Sequence, residues 1–198
     1  MRWLLTGIYF IHPLKRYRAR KAFLRGHRYS CDLEKYLTDF SKTDDLVYSE
    51  EFLVKQLRRD FGVGWLSNDQ DEWSFFADAP YFFALMHGQV MLAGIGFKIL
   101  GKSIFVVQIQ AARSSKKSLL DPFRWERMLL RLLIDWAKEN GFSQVLIQPA
   151  DQNEYFINGT DNDRNKRLKM RYDVTARRSG FKLDPNLNAY SLPLSPQA

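Results

Sequence analysis

Apolar side chains recur with a helical period between residues 121 and 141. Asp121 is a good N-cap residue, Pro122 suits the first helical position, and Gly141 suits the position just past a helix end. The pattern therefore predicts an amphipathic helix over residues 122–140, with one face packed on a sheet. That face follows the spacing i, i+3, i+4, i+7, i+8, i+11, i+12 and comprises Trp125, Met128, Leu129, Leu132, Leu133, Trp136 and Ala137.

Short aliphatic and aromatic runs, separated by turn residues, predict β-strands on both sides of this helix. The run 103–111 is expected to be a central strand, because residues 104–107 are apolar on both faces. Gly94 and Gly96 interrupt a neighbouring run, which indicates a bulge or a close approach of the backbone. The predicted strands cover residues 75–76, 81–86, 90–100, 103–111 and 145–148.

The first third of the chain has features typical of helices, and we predict helical structure within residues 15–62. Asp32 is expected to cap a helix that reaches Phe40. Ser49 is expected to cap another helix, whose apolar stripe contains Phe52, Leu53, Leu57 and Phe61.

The last fifty residues predict one further helix and two short strands. A polar loop from Asp151 to about Asn165 precedes the helix, and Gly180 ends it. Its inner face is expected to contain Leu168, Tyr172, Thr175, Ala176 and Ser179. Strands over 181–183 and 188–192 close the chain. The order of elements predicts an α/β fold, with a basic helical extension over residues 1–72 packed on the core of the main domain over 73–198, the two together forming a single structural domain.

The composition excludes several classes of protein. With 198 residues, 45% apolar and 26% charged, the chain fits one globular domain rather than a disordered one. Its single cysteine excludes an intramolecular disulfide framework and an all-cysteine zinc site, and a reduced, cytoplasmic setting is the expectation. His27 and Cys31 are only two potential ligands, so no metal site is expected.

The net charge of +8 is unevenly distributed. Residues 1–31 contain eight Lys or Arg and no acid, residues 164–182 contain another eight with Asp173 as the only acid, and residues 113–131 contain six more. Such clustering indicates a polyanionic partner: a phosphorylated cofactor, a nucleic acid such as tRNA, or an anionic membrane surface. A solvated basic face without a partner is the alternative.

The apolar segment Trp3–Ile11 is too short to cross a membrane. It precedes a Pro and several cations rather than a small-residue cleavage site, so we do not expect a signal peptide. It suits either a strand docked on the core or a foot at a membrane interface.

The order of elements, ending in Arg177-Arg178-Ser179-Gly180-Phe181-Lys182, resembles the GNAT superfamily of N-acetyltransferases over residues 75–194. In this resemblance the central strand is 103–111, the pyrophosphate-binding loop is 112–121, and Asn153 follows the next strand at a similar spacing. The resemblance implies a mixed, mostly antiparallel central sheet flanked by helices. It also implies transfer of an acyl group from acetyl-CoA or another acyl-CoA to an amine.

Two positions depart from the family's pattern. The small residues that let a helix start approach pyrophosphate correspond here to Arg124 and Glu126. The tyrosine that often protonates the departing thiolate corresponds to Ala176, whereas Tyr172 lies one turn earlier on the same face. Tyr172 is therefore either a relocated acid or a core tyrosine.

The resemblance also implies a set of site residues. For catalysis, Tyr172 is the candidate acid, and Glu154 and His87 are the candidate bases. The central strand is expected to pair with the pantetheine arm, and basic and hydroxyl side chains near the helix start are expected to hold the phosphates. The candidate binding residues are Gln108, Ile109, Gln110, Arg113, Ser114, Ser115, Lys116, Lys117, Arg124 and Asn153.

Two alternatives remain open at this point. The Fem-type aminoacyl-tRNA transferases, which act on peptidoglycan precursors, resemble this chain in lacking the glycine loop and in the strand ending Gln148-Pro149. Those enzymes normally carry two such domains, and this chain has room for one. The other alternative is a non-catalytic binding module on the same scaffold.

Overall fold

The structure is a computed structural model that describes residues 27–43, 49–58, 64–67, 72–157 and 161–194. In these ranges the strands are β1 His27–Arg28, β2 Phe52–Arg58, β3 Gly64–Ser67, β4 Trp73–Ala77, β5 Tyr81–His87, β6 Val90–Leu100, β7 Ser103–Ala111, β8 Arg113–Ser114, β9 Gln144–Ile147, β10 Lys182–Asp184 and β11 Ala189–Pro193. The α-helices are α1 Leu33–Asp39, α2 Trp125–Glu139, α3 Glu154–Ile157, α4 Asn162–Lys169 and α5 Thr175–Arg178.

A large mixed sheet forms the centre of the described structure. Its strand order is β1-β2-β5-β6-β7-β9-β11-β10, and β3-β4-β8 form a smaller sheet. All neighbours in the large sheet are antiparallel except β7 and β9, which are parallel. The predicted fold class, a mixed, mainly antiparallel sheet flanked by helices, is therefore confirmed.

The predicted meander is confirmed in β5, β6 and β7. The strands β6 and β7 have the predicted bounds, and the turns that join the three strands lie at Gly88 and Gly101, both with positive φ. β7 lies between β6 and β9, as expected of a central strand. The buried runs of these strands supply much of the core.

Helix α2 carries the predicted stripe, and every residue of that stripe is buried. Its predicted start is wrong, because the helix begins at Trp125 rather than at Pro122. Asp121 and Pro122 lie in a turn whose backbone contacts residue 42: the Lys42 N–H donates to the Pro122 carbonyl at 2.7 Å. The Arg124 N–H donates to the carbonyl of Phe40. Long-range backbone contacts thus override the local capping signal.

The helix predicted after Ser49 is also wrong, because residues 52–58 form strand β2. β2 pairs with β5 from Phe52↔His87 to Arg58↔Tyr81 and buries Phe52, Val54 and Leu57. A short apolar run fits either period, and pairing with β5 decides in favour of a strand. The Asp32 cap is confirmed, since its carboxylate accepts the Lys35 N–H at 3.1 Å.

The C-terminal helix is divided into three parts. α4 leads into a π-helical turn, Met170–Val174, and then into α5, which ends at Arg178 and is followed by Gly180 with φ +89°. The two predicted closing strands are confirmed as the β10–β11 hairpin. Residues 1–26, and with them Trp3–Ile11, lie outside the described residues, and the division at residues 72 and 73 stays a prediction.

No helix in the described ranges is both long and apolar enough to span a membrane.

Candidate functional site

The central strand β7 contains a β-bulge beside the point where its parallel neighbour ends. Phe97 pairs with Val106 and Gly96 pairs with Gln108, so Val107 is the extra residue. On the other side, the pairing with β9 ends at Val106↔Ile147, and the last bond is Gln148 N–H to the Val106 carbonyl at 3.0 Å. From Val107 onward the edge of β7 is therefore not covered by β9.

The hydroxyl of Tyr172 forms hydrogen bonds with two backbone groups on this edge of β7. It donates to the Val107 carbonyl at 3.2 Å and accepts the Ile109 N–H at 3.2 Å. The side-chain amide of Asn153 donates to the same oxygen at 3.4 Å. Asn153 and Tyr172, both candidate residues from the sequence, therefore contact each other. The Tyr172 hydroxyl also bonds to the backbone of a third candidate residue, Ile109.

Tyr172 is only 2% exposed, and Asn153 is 6% exposed. Burial raises the pKa of Tyr172 to about 12, against the opposing effect of the Ile109 N–H, so the phenol is neutral at physiological pH. The helix that carries Tyr172 is anchored by Asp173, whose carboxylate accepts the Ala150 N–H at 2.9 Å. The candidate site is therefore a buried cluster of polar groups at the opening between β7 and β9.

Gln108 lies next to this point but faces the smaller sheet. Its amide donates to the Phe76 carbonyl and to Gln110 Oε1, and its oxygen accepts the Asp78 N–H at 3.2 Å. The buried amide of Gln108 therefore joins β7 to the end of β4. The side chain of Gln108 is therefore already bonded, and the binding role predicted for this strand falls to the backbone edge at Val107 and Ile109, which Tyr172 contacts.

The segment 113–117 lies beyond the end of β7, against β4. Ser114 pairs with Trp73, and the Ser115 N–H approaches the Glu72 carbonyl at 3.5 Å. Lys116 Nζ lies 3.5 Å from His87 Nδ1, which in turn lies 3.0 Å from Glu51 Oε2. The candidate residues Arg113, Ser115, Lys116 and Lys117 are all exposed.

His87 lies in the sheet at a distance from the strand residue that Tyr172 contacts. It ends β5, two strands from β7, and pairs with Val90, five residues from the Ile95↔Ile109 pair. Spacings of about 4.8 Å per strand and 3.3 Å per residue place the backbones of His87 and Ile109 roughly 15–20 Å apart. Glu154 directly follows the site residue Asn153 in the chain. Its side chain is exposed at the start of α3.

The start of α2 carries its own negative charge. The Glu126 carboxylate bonds to its own backbone N–H, and Arg171 and Lys42 lie close enough to lower its pKa. Burial is the stronger effect and raises the pKa of Glu126 above its usual value. The Arg171 guanidinium also lies 5.9 Å from the centre of the Trp125 ring. A phosphate at this helix start would compete with Glu126 for the backbone amides.

Sequence reasoning missed the roles of Val107, Glu126 and Arg171. Gly96 was the local signal for the bulge, because it pairs across from Gln108 beside the extra residue. Arg171 was visible only as one charge in a cluster, since its neighbour Trp125 is 46 positions away. Among the described residues there is no group of three or more His, Cys, Asp or Glu that could hold a metal ion.

A separate surface cleft of about 470 Å³ lies between α1 and α2 and contains none of the candidate residues. Tyr36 donates to Asp135 at 2.8 Å and Tyr29 donates to Glu139 at 3.1 Å along its wall. Cys31 also lines it, and burial raises the pKa of this thiol to about 11. The cleft is acidic, and its contacts join α1 to α2.

No protein-family model and no curated protein matches the chain. Among solved structures, the chain is similar to the alanine N-acetyltransferase of ribosomal protein S18 from Escherichia coli, with 13% identity and a TM-score of 0.38. The alignment covers 95% of this chain and 93% of that one. A likeness of this size carries no argument about activity, so the geometry of the opening between β7 and β9 is the basis for a functional proposal.

Proposed function

We propose that this protein is an N-acyltransferase that moves an acyl group from an acyl-CoA thioester to an amine by direct attack. The observation that carries the proposal is the opening between β7 and β9. There the bulge at Val107 turns a carbonyl and an N–H toward buried polar side chains. An extended chain that contains amides can pair with such an edge as an added strand. The pantetheine arm of CoA is a chain of this kind.

Catalysis in this proposal comes mainly from holding the two substrates together. The amine nitrogen bonds to the thioester carbonyl carbon, the C–S bond breaks, and the amine loses a proton. Backbone N–H groups of β7 polarise the carbonyl. Tyr172, which is neutral at physiological pH, is the proposed proton donor to the departing thiolate. Glu154 is a better placed candidate base than His87, because it adjoins Asn153.

The phosphates are proposed to bind outside the helix start rather than on its amides. Glu126 occupies that start, so the favourable charges come from cationic side chains around it. The proposed set comprises Arg113, Lys116, Lys117 and Arg124 with Ser114 and Ser115, to which the structure adds Arg171 as a neighbour of Glu126.

Calorimetric titration with CoA, acetyl-CoA and ADP at moderate salt tests the proposal. We expect 1:1 binding of CoA and acetyl-CoA, and a weakening of about tenfold or more when Arg113, Lys116 and Lys117 are changed together to Ala. A triple Ala variant of Lys35, Lys98 and Lys102 is the matched control, since these exposed cations lie outside the proposed site. Absence of CoA binding at millimolar concentration would refute acyl-CoA as the donor. Unchanged binding by the first variant would refute only the role of the 113–117 segment.

The Glu126 carboxylate favours one second candidate, aminoacyl transfer from a charged tRNA. Such a donor needs no pyrophosphate at the helix start, and its ribose phosphates suit the cations of residues 164–182. Salt-sensitive binding of charged tRNA without binding of CoA would select this candidate.

A further inference from the structure

We propose that the Tyr172 hydroxyl holds the donor-binding edge of β7 closed in the resting protein, and that only a donor chain with a secondary amide opens it. This inference rests on the proposed function, since it concerns how the same donor enters. It assigns Tyr172 a task in binding that precedes its task as a proton donor.

The Tyr172 hydroxyl has no hydrogen-bonding capacity left. A phenol has one hydrogen to donate and two lone pairs to accept with. The hydrogen goes to the Val107 carbonyl, and the lone pairs receive the Ile109 N–H and the Asn153 amide. All three contacts are buried, so the Val107 carbonyl and the Ile109 N–H would each lose this hydrogen bond if the hydroxyl left without a replacement.

The Tyr172 hydroxyl also makes the same pair of backbone hydrogen bonds that a secondary amide can make. It meets one backbone acceptor, the Val107 carbonyl, and one backbone donor, the Ile109 N–H. A secondary amide offers one N–H and one carbonyl and can satisfy both groups in its place. A donor chain that pairs with this edge therefore competes with Tyr172 for the same two atoms.

The same contacts control whether Tyr172 can give its proton to the departing thiolate. In the resting arrangement the phenolic hydrogen is held by the Val107 carbonyl, which makes it unavailable to a thiolate. Displacement by the donor's amide releases a hydroxyl that remains protonated, because even the ordinary tyrosine pKa of about 10 lies well above physiological pH. Donor binding thus prepares the acid, and an empty site does not.

The helix backbone that carries Tyr172 is anchored, so the proposed displacement involves the side chain. Tyr172 lies in the π-helical turn, a conformation that is frequent at functional sites. Asp173 ties this turn to the Ala150 N–H, and the Thr175 hydroxyl reaches the Met170 carbonyl at 3.4 Å. The turn is therefore held on both sides of Tyr172.

Tyr172→Phe tests the closing role, because it keeps the ring and removes the hydroxyl. We expect CoA to bind about tenfold more tightly, since the donor no longer displaces a bonded hydroxyl, while kcat falls because the acid is lost. ADP, which has the phosphates but no amide arm, should bind equally to both proteins. Tyr36→Phe is the control: it removes a hydroxyl bonded to Asp135 in the other cleft and should change neither value.

The outcomes separate the two proposals. If wild-type protein binds CoA and Tyr172→Phe binds it equally or more weakly, the closing role is overturned and the acyltransferase proposal stands. If neither protein binds CoA, both are overturned. Should Tyr172→Phe fail to fold, tyrosine-labelled wild-type protein gives the answer by NMR. Saturating CoA, but not ADP, should shift the Tyr172 ring signals, and unchanged signals would refute displacement.

A comparison of two thioester substrates tests whether the site selects a donor that contains a secondary amide. S-acetyl-N-acetylcysteamine carries one secondary amide, and S-acetylpentanethiol is a chain of similar length without one. Wild-type kcat/KM should favour the first by tenfold or more, because the second leaves the Val107 and Ile109 groups unpaired. Equal values for the two thioesters would refute the selection.

Discussion

At the residue scale, the bulge in β7 depends on a glycine in the facing strand. A Cβ added to Gly96 would lie 2.7 Å from Phe82 Cε1, 2.9 Å from Ala79 Cβ and 3.1 Å from Gln108 Cβ. None of these three atoms is the end of a flexible side chain. Gly96 therefore lets β6 approach the segment where the extra residue turns the β7 edge outward.

We predict that Gly96→Ala destabilises the protein by about 2–3 kcal/mol, the usual range for overpacking a tight core. Gly94→Ala is the matched comparison, because its closest contact is the flexible end of Met91 at 2.8 Å, and it should cost less. Denaturant unfolding of both variants measures the difference. A smaller loss for Gly96→Ala than for Gly94→Ala would contradict the contact geometry.

At the element scale, the start of α2 combines a half-buried carboxylate, that of Glu126, with a helix N-terminus. A raised pKa in the folded state means that the protonated group contributes stability below its unfolded pKa. That contribution is lost as pH rises through the folded pKa. The charged form of Glu126 at neutral pH is thus a cost to the fold, even with Arg171 and Lys42 nearby.

We predict that Glu126→Gln stabilises the protein at pH 7 and that the gain disappears below about pH 4, where the wild-type carboxyl is protonated in both states. The same change should tighten ADP and CoA binding by about threefold, because no carboxylate competes at the helix start. Unfolding at both pH values and calorimetry measure these effects. Glu34→Gln, on the exposed face of α1, is the control and should alter neither. A variant that is less stable at pH 7 would show that the Arg171 and Lys42 contacts outweigh burial.

At the scale of the whole molecule, β2 joins residues before the predicted boundary at 72 and 73 to the central sheet. Its seven residues pair with β5 and bury Phe52, Val54 and Leu57. Without β2, strand β5 becomes an unpaired edge of the sheet, and its side chains are mostly apolar. An exposed apolar edge strand promotes aggregation.

We predict that a fragment of residues 73–198 fails to unfold cooperatively and aggregates, whereas the full chain unfolds in one transition. Circular dichroism melts and sedimentation velocity distinguish the two. A soluble, cooperative 73–198 fragment would contradict the need for β2.

Elements with a strong local pattern were predictable from the sequence. The buried stripe of α2, the bounds of β6 and β7, and the positive φ at Gly101, Gly141 and Gly180 all follow from local periodicity or from the conformational freedom of glycine. The sequence also singled out Asn153 and Tyr172, whose side chains contact each other in the structure.

The remaining features depend on partners far away in the chain. Residues 52–58 became a strand because β5 lies beside them, and α2 starts late because Lys42 and Phe40 bind the preceding turn. Tyr172 bonds to backbone groups 63 and 65 positions away. The sequence by itself determined which segments are helices or strands where the apolar period is long. Only the tertiary structure decided what the Tyr172 hydroxyl touches, because those contacts exist only once the β-bulge and the end of β9 leave the edge of β7 open.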